Sequence, residues 1–126
     1  MKQIITDKAP AAIGPYSHAY ITGNLVFTSG QIPVDPKTGA VPEGIVKQAE
    51  LSCKNVGLIL EASDSSFDKV IKTTCFLADM NDFADFNKVY AEYFTSRPAR
   101  SCVAVKDLPK GVLCEIEAIA EVNIRE

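Results

Sequence analysis

Residues 98–117 alternate twice between apolar and polar positions. Ser101, Val103 and Val105 interleave with Arg100, Cys102 and Ala104; Cys114, Ile116 and Ala118 interleave with Glu115, Glu117 and Ile119. A period of two marks strands that bury one face. Lys106-Asp107-Leu108-Pro109-Lys110-Gly111 between them is a turn signal, so the pattern predicts an antiparallel hairpin. Placing Val103 opposite Ile116 sets Val105 opposite Cys114 and Ser101 opposite Ala118, which collects the apolar side chains. A slip of one residue would bury the charges instead. In this register the second face carries Arg100, Cys102, Glu115 and Glu117.

The other elements follow from the same reading. Residues 1–5 form a short edge strand, and 8–15 a loop broken by two prolines and a glycine. Residues 16–22 and 25–29 make a hairpin around Gly23-Asn24; Ser17, Ala19 and Ile21 share one face, and Tyr16, His18 and Tyr20 the other. Turns fall at 35–39 and 42–44. Residues 45–62 carry Val46, Ala49, Cys53, Val56 and Leu60 at helical spacing. Residues 70–78 are apolar or β-branched on both faces, the mark of a strand covered on both sides. Asp79 or Asn81 caps a second helix with an inner stripe of Phe83, Phe86, Tyr90 and Tyr93 or Phe94. Residues 120–124 extend the last strand.

The order β-β-β-α-β-α-β-β predicts one α+β domain over residues 1–126: a single mixed sheet with two helices on one face. The uncovered face would hold Arg100, Glu115 and Tyr16 beside Ile119 and Phe27. Such a mixture points to an oligomer interface enclosing polar sites.

Composition narrows the class. A chain of 126 residues with 47% hydrophobic and 23% charged positions is expected to be globular. Its net charge of −3 and lack of a long basic run weigh against nucleic acid or an anionic membrane as partner. No apolar run reaches membrane-spanning length, and the N-terminus has neither a secretory nor a transit signature. Cys53, Cys75, Cys102 and Cys114 lack metal or redox-motif spacing. In the predicted hairpin Cys102 and Cys114 face opposite sides, so four free thiols and a reducing compartment, the cytoplasm, are expected.

The chemistry concentrates on Arg100 and the two glutamates. A guanidinium fork binds a carboxylate through paired charge-assisted hydrogen bonds, and a glutamate beside it can serve as general base or acid. The same side chains also suit an ordinary solvated cross-strand pair, worth about 0.2–1 kcal/mol; the pattern leaves both open. Cys102 is a candidate nucleophile, with Arg100 near enough to favour its thiolate, but no histidine base accompanies it. His18, the only histidine, is read as a surface or packed side chain. No metal set is spaced for binding. The glycine spacing around 35–39 does not match a phosphate-binding loop. Phe83, Phe86 and Tyr90 are read as core.

Several blocks in order resemble one family. They are Ala9-Pro10-Ala11-Ala12-Ile13-Gly14-Pro15-Tyr16, Thr28-Ser29-Gly30-Gln31-Ile32-Pro33, Val70-Ile71-Lys72-Thr73-Thr74, Asn81-Asp82-Phe83, Asn87-Lys88-Val89-Tyr90, Pro98-Ala99-Arg100-Ser101-Cys102-Val103 and Glu115-Ile116-Glu117-Ala118-Ile119-Ala120. Together they resemble the reactive intermediate (imine) deaminases, the RidA or YjgF-like group. The resemblance implies a chorismate-mutase-like fold, a homotrimer with sites between subunits, and hydrolysis of 2-enamines and 2-imines such as 2-aminoacrylate and 2-iminobutanoate to 2-oxo acids and ammonia. It implies no cofactor and no metal. By position, Arg100 would grip the substrate carboxylate and the backbone at Cys102 would orient the imine. Glu115 would activate water, Tyr16 would close the pocket, and Ser29, Gly30 and Asn87 would line it. His18 stands where the family more often has glutamine, and the segment 93–98 is shorter than in some members. Relatives described as ribonucleases, translation inhibitors or chaperones keep a second reading open, as does a non-catalytic metabolite-binding module.

Overall fold

The computed structural model describes residues 1–123. Its regular elements are β1 (Lys2–Ile4), β2 (Ala19–Thr22), β3 (Leu25–Thr28), α1 (Ile45–Ala62), β4 (Val70–Leu77), α2 (Phe83–Tyr93), β5 (Ala99–Ala104) and β6 (Cys114–Glu121). This is the predicted order of elements. The strands form one six-stranded sheet, β1-β2-β3-β6-β4-β5, antiparallel throughout except that β5 runs parallel to β4.

Both helices lie on one face. Their buried residues Ala49, Cys53, Val56, Leu60, Phe86 and Tyr90 join Val26, Cys75, Cys114, Ile116 and Ala118 of the sheet in one core. β6 shows the underlying alternation: Cys114, Ile116, Ala118 and Ala120 are buried, while Glu115, Glu117, Ile119 and Glu121 point the other way. Asp79 starts the α2 segment by accepting the Asn81 N–H at 2.8 Å, ahead of a short 3₁₀ turn.

The α1 stripe is centred differently from the prediction. Ile45 is buried and Val46 is 45% exposed. The helix begins at Ile45, one residue after Gly44 with its positive φ of 83°. The buried arc also takes in Gln48, Ser52 and Asn55, polar residues that an apolar count passes over. They are buried because they are bonded: Gln48 Oε1 accepts the Leu113 N–H at 2.7 Å, and Asn55 Nδ2 donates to the Ile32 and Val34 carbonyls.

The predicted hairpin of β5 and β6 does not form. β4 lies between them, pairing Cys75 with both Cys102 and Ile116, and Phe76 with both Val103 and Glu115. The physical reason is β4 itself. A strand apolar on both faces gains most from a central position, and α2 is long enough to return the chain parallel along its outer edge. Residues 105–113 then bring β6 back along the other side of β4.

This changes which side chains share a face. Arg100 and Cys102 stand beside Thr73 and Cys75, facing the helices, whereas Glu115 and Glu117 stand beside Phe76 and Thr74 on the open face. The expectation that the arginine and the glutamates share one side is therefore overturned. Cys102 and Cys114, by contrast, lie on the same side, with β4 between their strands. All four cysteines are free.

Near the N-terminus, β2 starts at Ala19 rather than at residue 16. His18 breaks the alternation and turns inward, 3% exposed. Its Nδ1 accepts the Thr6 N–H at 3.2 Å and its Nε2 donates to the Pro10 carbonyl at 2.8 Å. It pins the 6–10 loop to the sheet, in line with its reading as a packed side chain. The final strand ends at Glu121; of the predicted extension, Ile124 lies outside the described residues.

Candidate active site

One group of candidates gathers around the edge strand. Arg100 is half-buried on β5, and its Nη1 donates to Asn87 Oδ1 of α2 at 2.8 Å. Its guanidinium carbon lies 4.7 Å from the Tyr90 ring centre and 5.5 Å from that of Phe83. Among the described residues Arg100 has no carboxylate partner. A guanidinium carries five N–H donors in a plane. With one bonded to Asn87 and the plane backed by aromatic rings, the rest of the fork is left for an outside anion.

Cys102 sits two residues further along the same side, opposite Cys75. A hydrogen bond from Cys75, helped by the Arg100 charge and opposed by burial, lowers the Cys102 thiol to about 7. The same bond and burial push Cys75 up. Of the two neighbouring thiols Cys102 is the one that ionises first.

A second group forms on the open face. Glu115 packs against Gly30 so closely that a β-carbon there would lie 2.1 Å from Glu115 Oε2. Only glycine leaves room for that carboxylate. Burial, and then the Glu117 charge, raise the Glu115 pKa above its ordinary value. Ser29 donates its hydroxyl to the Ser17 carbonyl at 2.6 Å, which fixes the approach to Gly30. Tyr16, 47% exposed, accepts the Ile13 N–H at 3.3 Å. Tyr16 and Gly30 border a cavity of about 220 Å³ whose wall includes Ile13, Ile32 and Lys110.

The structure thus joins Arg100, Asn87 and Cys102 in one place and Tyr16, Ser29, Gly30 and Glu115 in another. It does not join the two within one chain. Arg100 and Glu115 are three residues apart along the strands and two strands apart across them, about 14 Å between α-carbons from standard sheet spacings. They also point to opposite sides. Sequence reasoning missed Tyr90 as a neighbour of Arg100 because an aromatic residue on a helical stripe reads as core.

The loop at 35–39 is a closed turn: Asp35 Oδ1 accepts the Lys37 and Thr38 N–H groups at 2.8 and 3.0 Å. Those two bonds hold the Asp35 carboxyl below its ordinary range. Among the described residues no group of three or more His, Cys, Asp and Glu side chains comes together to hold a metal, and no helix is long and apolar enough to cross a membrane.

A mixed six-stranded sheet with two helices on one side, carrying a cationic group of candidate residues on one face and an acidic group on the other, defines an α+β domain whose candidate site residues are split. The family model described as Endoribonuclease L-PSP matches residues 6–122, and the chain belongs to that family, the RidA/YjgF-like group. It is 54% identical to 2-iminobutanoate/2-iminopropanoate deaminase of Salmonella typhimurium, over 94% of this chain and 96% of the other. It is 55% identical to Protein HMF1 of Saccharomyces cerevisiae, over 93% and 92%. Among solved structures, that of E. coli TdcF with bound serine superposes with a TM-score of 0.93 at 49% identity, covering 98% of this chain and all of that one (100%).

Proposed function

We propose that the protein is a hydrolase of 2-imino acids and their enamine tautomers, such as 2-iminobutanoate and 2-aminoacrylate, releasing the 2-oxo acid and ammonia. The observation that carries this reading is the pair of complementary half-sites. One is an arginine fork without a carboxylate partner among the described residues; the other is a glutamate of raised pKa in a glycine cradle. Because they face opposite ways, a substrate that meets both is held between two copies of the chain. A homotrimer with three equivalent clefts is the assembly we infer. The similarity to a named imine deaminase supports the reaction.

In this scheme Arg100 of one subunit grips the substrate carboxylate, with Asn87 bracing the guanidinium. The backbone at Cys102 orients the imine. The protonated imine carbon is the electrophile. Glu115 of the neighbouring subunit takes a proton from water as its oxygen bonds to that carbon, forming a tetrahedral carbinolamine. Glu115 then returns the proton to nitrogen. The C–N bond breaks, ammonia departs, and the carbinolamine hydroxyl loses its proton to give the 2-oxo acid. A carboxyl raised towards neutrality is suited to both transfers. Tyr16 and Ser29 border the cleft, and no cofactor enters the scheme. Four free cysteines, three of them buried, support a reducing compartment, and we place the protein in the cytoplasm.

The test supplies the imine from a pyridoxal-phosphate serine or threonine dehydratase and follows 2-oxo acid formation. The protein should accelerate it, Arg100→Ala should abolish the acceleration, and Glu115→Gln should lose turnover while still binding 2-oxobutanoate. No acceleration by the wild-type protein would remove the proposal. Cleavage of a single-stranded RNA in its place would favour the activity in the family's description.

A further inference from the structure

Arg100 is held by more than Asn87. In the parallel β4–β5 pair, Arg100 and Thr73 are register partners, so their side chains rise together from one face. Tyr90 spans them: its hydroxyl bonds Thr73 Oγ1 at 2.6 Å, and its ring centre lies 4.7 Å from the Arg100 guanidinium carbon. Phe94 stacks on the same ring at 4.5 Å with 20° between the planes. A stacked ring and a guanidinium at similar distances cannot occupy one face, so Tyr90 is clamped between Phe94 and Arg100. Asn87 is three residues earlier on α2, on the same side of the helix.

From this geometry we infer that Tyr90 is a positioning residue for substrate binding: its ring face sets the plane of the Arg100 fork that receives the substrate carboxylate. Asn87 bonds a single Nη1, which allows the guanidinium to pivot about that contact, and the Phe83 ring at 5.5 Å lies further off than that of Tyr90. The Tyr90 ring removes the pivot by attracting the flat cation to its π-face. Phe94 holds the ring itself by filling its other side, and the Thr73 bond to the hydroxyl adds a secondary tether. The fork then meets a planar carboxylate already oriented, which lowers the ordering required on binding.

The inference rests on the proposed carboxylate role of Arg100, and the experiment separates the two. The Arg100 Nε–H resonance, assigned by its loss in Arg100→Lys, is followed by proton–nitrogen NMR in wild type, Tyr90→Phe and Tyr90→Leu. Binding of 2-oxobutanoate and deaminase kinetics are measured on the same proteins. In wild type the Arg100 Nε–H should carry an upfield ring-current shift. Tyr90→Phe should retain it and bind within about twofold of wild type. Tyr90→Leu should lose most of it, only the more distant Phe83 ring remaining, and raise both the Kd and KM about tenfold, with kcat changed less than about twofold, the pattern of lost uniform binding.

A wild-type resonance without the shift overturns the inference, and needs no variant to fold. So does a folded Tyr90→Leu protein with unchanged affinity, or a Tyr90→Phe protein as impaired as Tyr90→Leu. A wild-type protein that shows the shift but neither binds 2-oxo acids nor turns over imines would leave Tyr90 orienting Arg100 and overturn its role in substrate binding, the deaminase reading failing with it.

Discussion

Arg100 and Glu115 project from opposite faces of one sheet, on strands that flank β4. No side-chain movement within one chain brings both to a molecule of three or four carbons. Joint action therefore requires two subunits, and this has a direct consequence. Arg100→Ala and Glu115→Gln proteins should each be inactive alone but recover activity when unfolded and refolded together. In any mixed form of the proposed trimer one of the three clefts regains an intact arginine and an intact glutamate. A 1:1 mixture should reach about a quarter of wild-type activity by random assembly. Zero recovery from verified mixed trimers would place both residues in the same subunit's site or remove one from the reaction.

Gly30 is close enough to Glu115 for a methyl group to decide whether the carboxylate stays in place. Gly30→Ala should displace the carboxylate and lower kcat about 100-fold. The fold should hold, because the displaced atoms are the end of a side chain. Activity assays paired with thermal denaturation check this; a large fall in Tm would mean that the backbone had moved instead.

The raised pKa of Glu115, caused first by burial and then by Glu117, makes two linked predictions. As a base it must be ionised, so kcat/KM should fall as pH drops through a value above the ordinary glutamate range. Glu117→Gln should move that limb to lower pH. For stability the sign is reversed. A folded-state pKa above the unfolded one favours the folded protein at low pH, and that advantage is lost as pH rises through the folded value. Glu115→Gln should accordingly raise Tm at neutral pH, with the gain vanishing below the usual carboxylate range. Melting curves across pH check both the gain and its disappearance.

Cys102, lowered to about 7, should dominate alkylation by iodoacetamide, with half-maximal rate near that pH. The first cause is the hydrogen bond from Cys75, so Cys75→Ala should raise the midpoint more than Arg100→Ala. A 2-oxo acid bound at Arg100 should slow the reaction. Peptide mapping after partial labelling reads all three effects; preferential labelling of Cys53 or Cys114 would contradict them.

His18 is buried and bonded at both ring nitrogens. His18→Ala should destabilise the fold by about 1–3 kcal/mol through the groups left unpaired. His18→Gln, which keeps a donor and an acceptor, should be milder. Chemical denaturation compares the two, and equal losses would indicate that ring volume matters rather than the bonds.

Much of the fold was written in local pattern. The period of two in β6, the helical spacing of Ala49, Cys53, Val56 and Leu60, and the two-faced apolar character of β4 each depend on which side of one element is buried. That is a property of neighbouring residues, and the sequence by itself determines it. The blocks holding Arg100, Gly30 and Glu115 likewise carried the family resemblance before any coordinates.

What the tertiary structure decided was adjacency. β5 and β6 follow each other along the chain and each alternates as a hairpin strand would, yet β4 enters between them. Strand order depends on which arrangement buries β4 on both sides, an energy summed over the whole sheet and invisible in either strand. From that one choice follow the opposite faces of Arg100 and Glu115, the neighbouring thiols of Cys75 and Cys102, and the closeness of Tyr90 to the guanidinium.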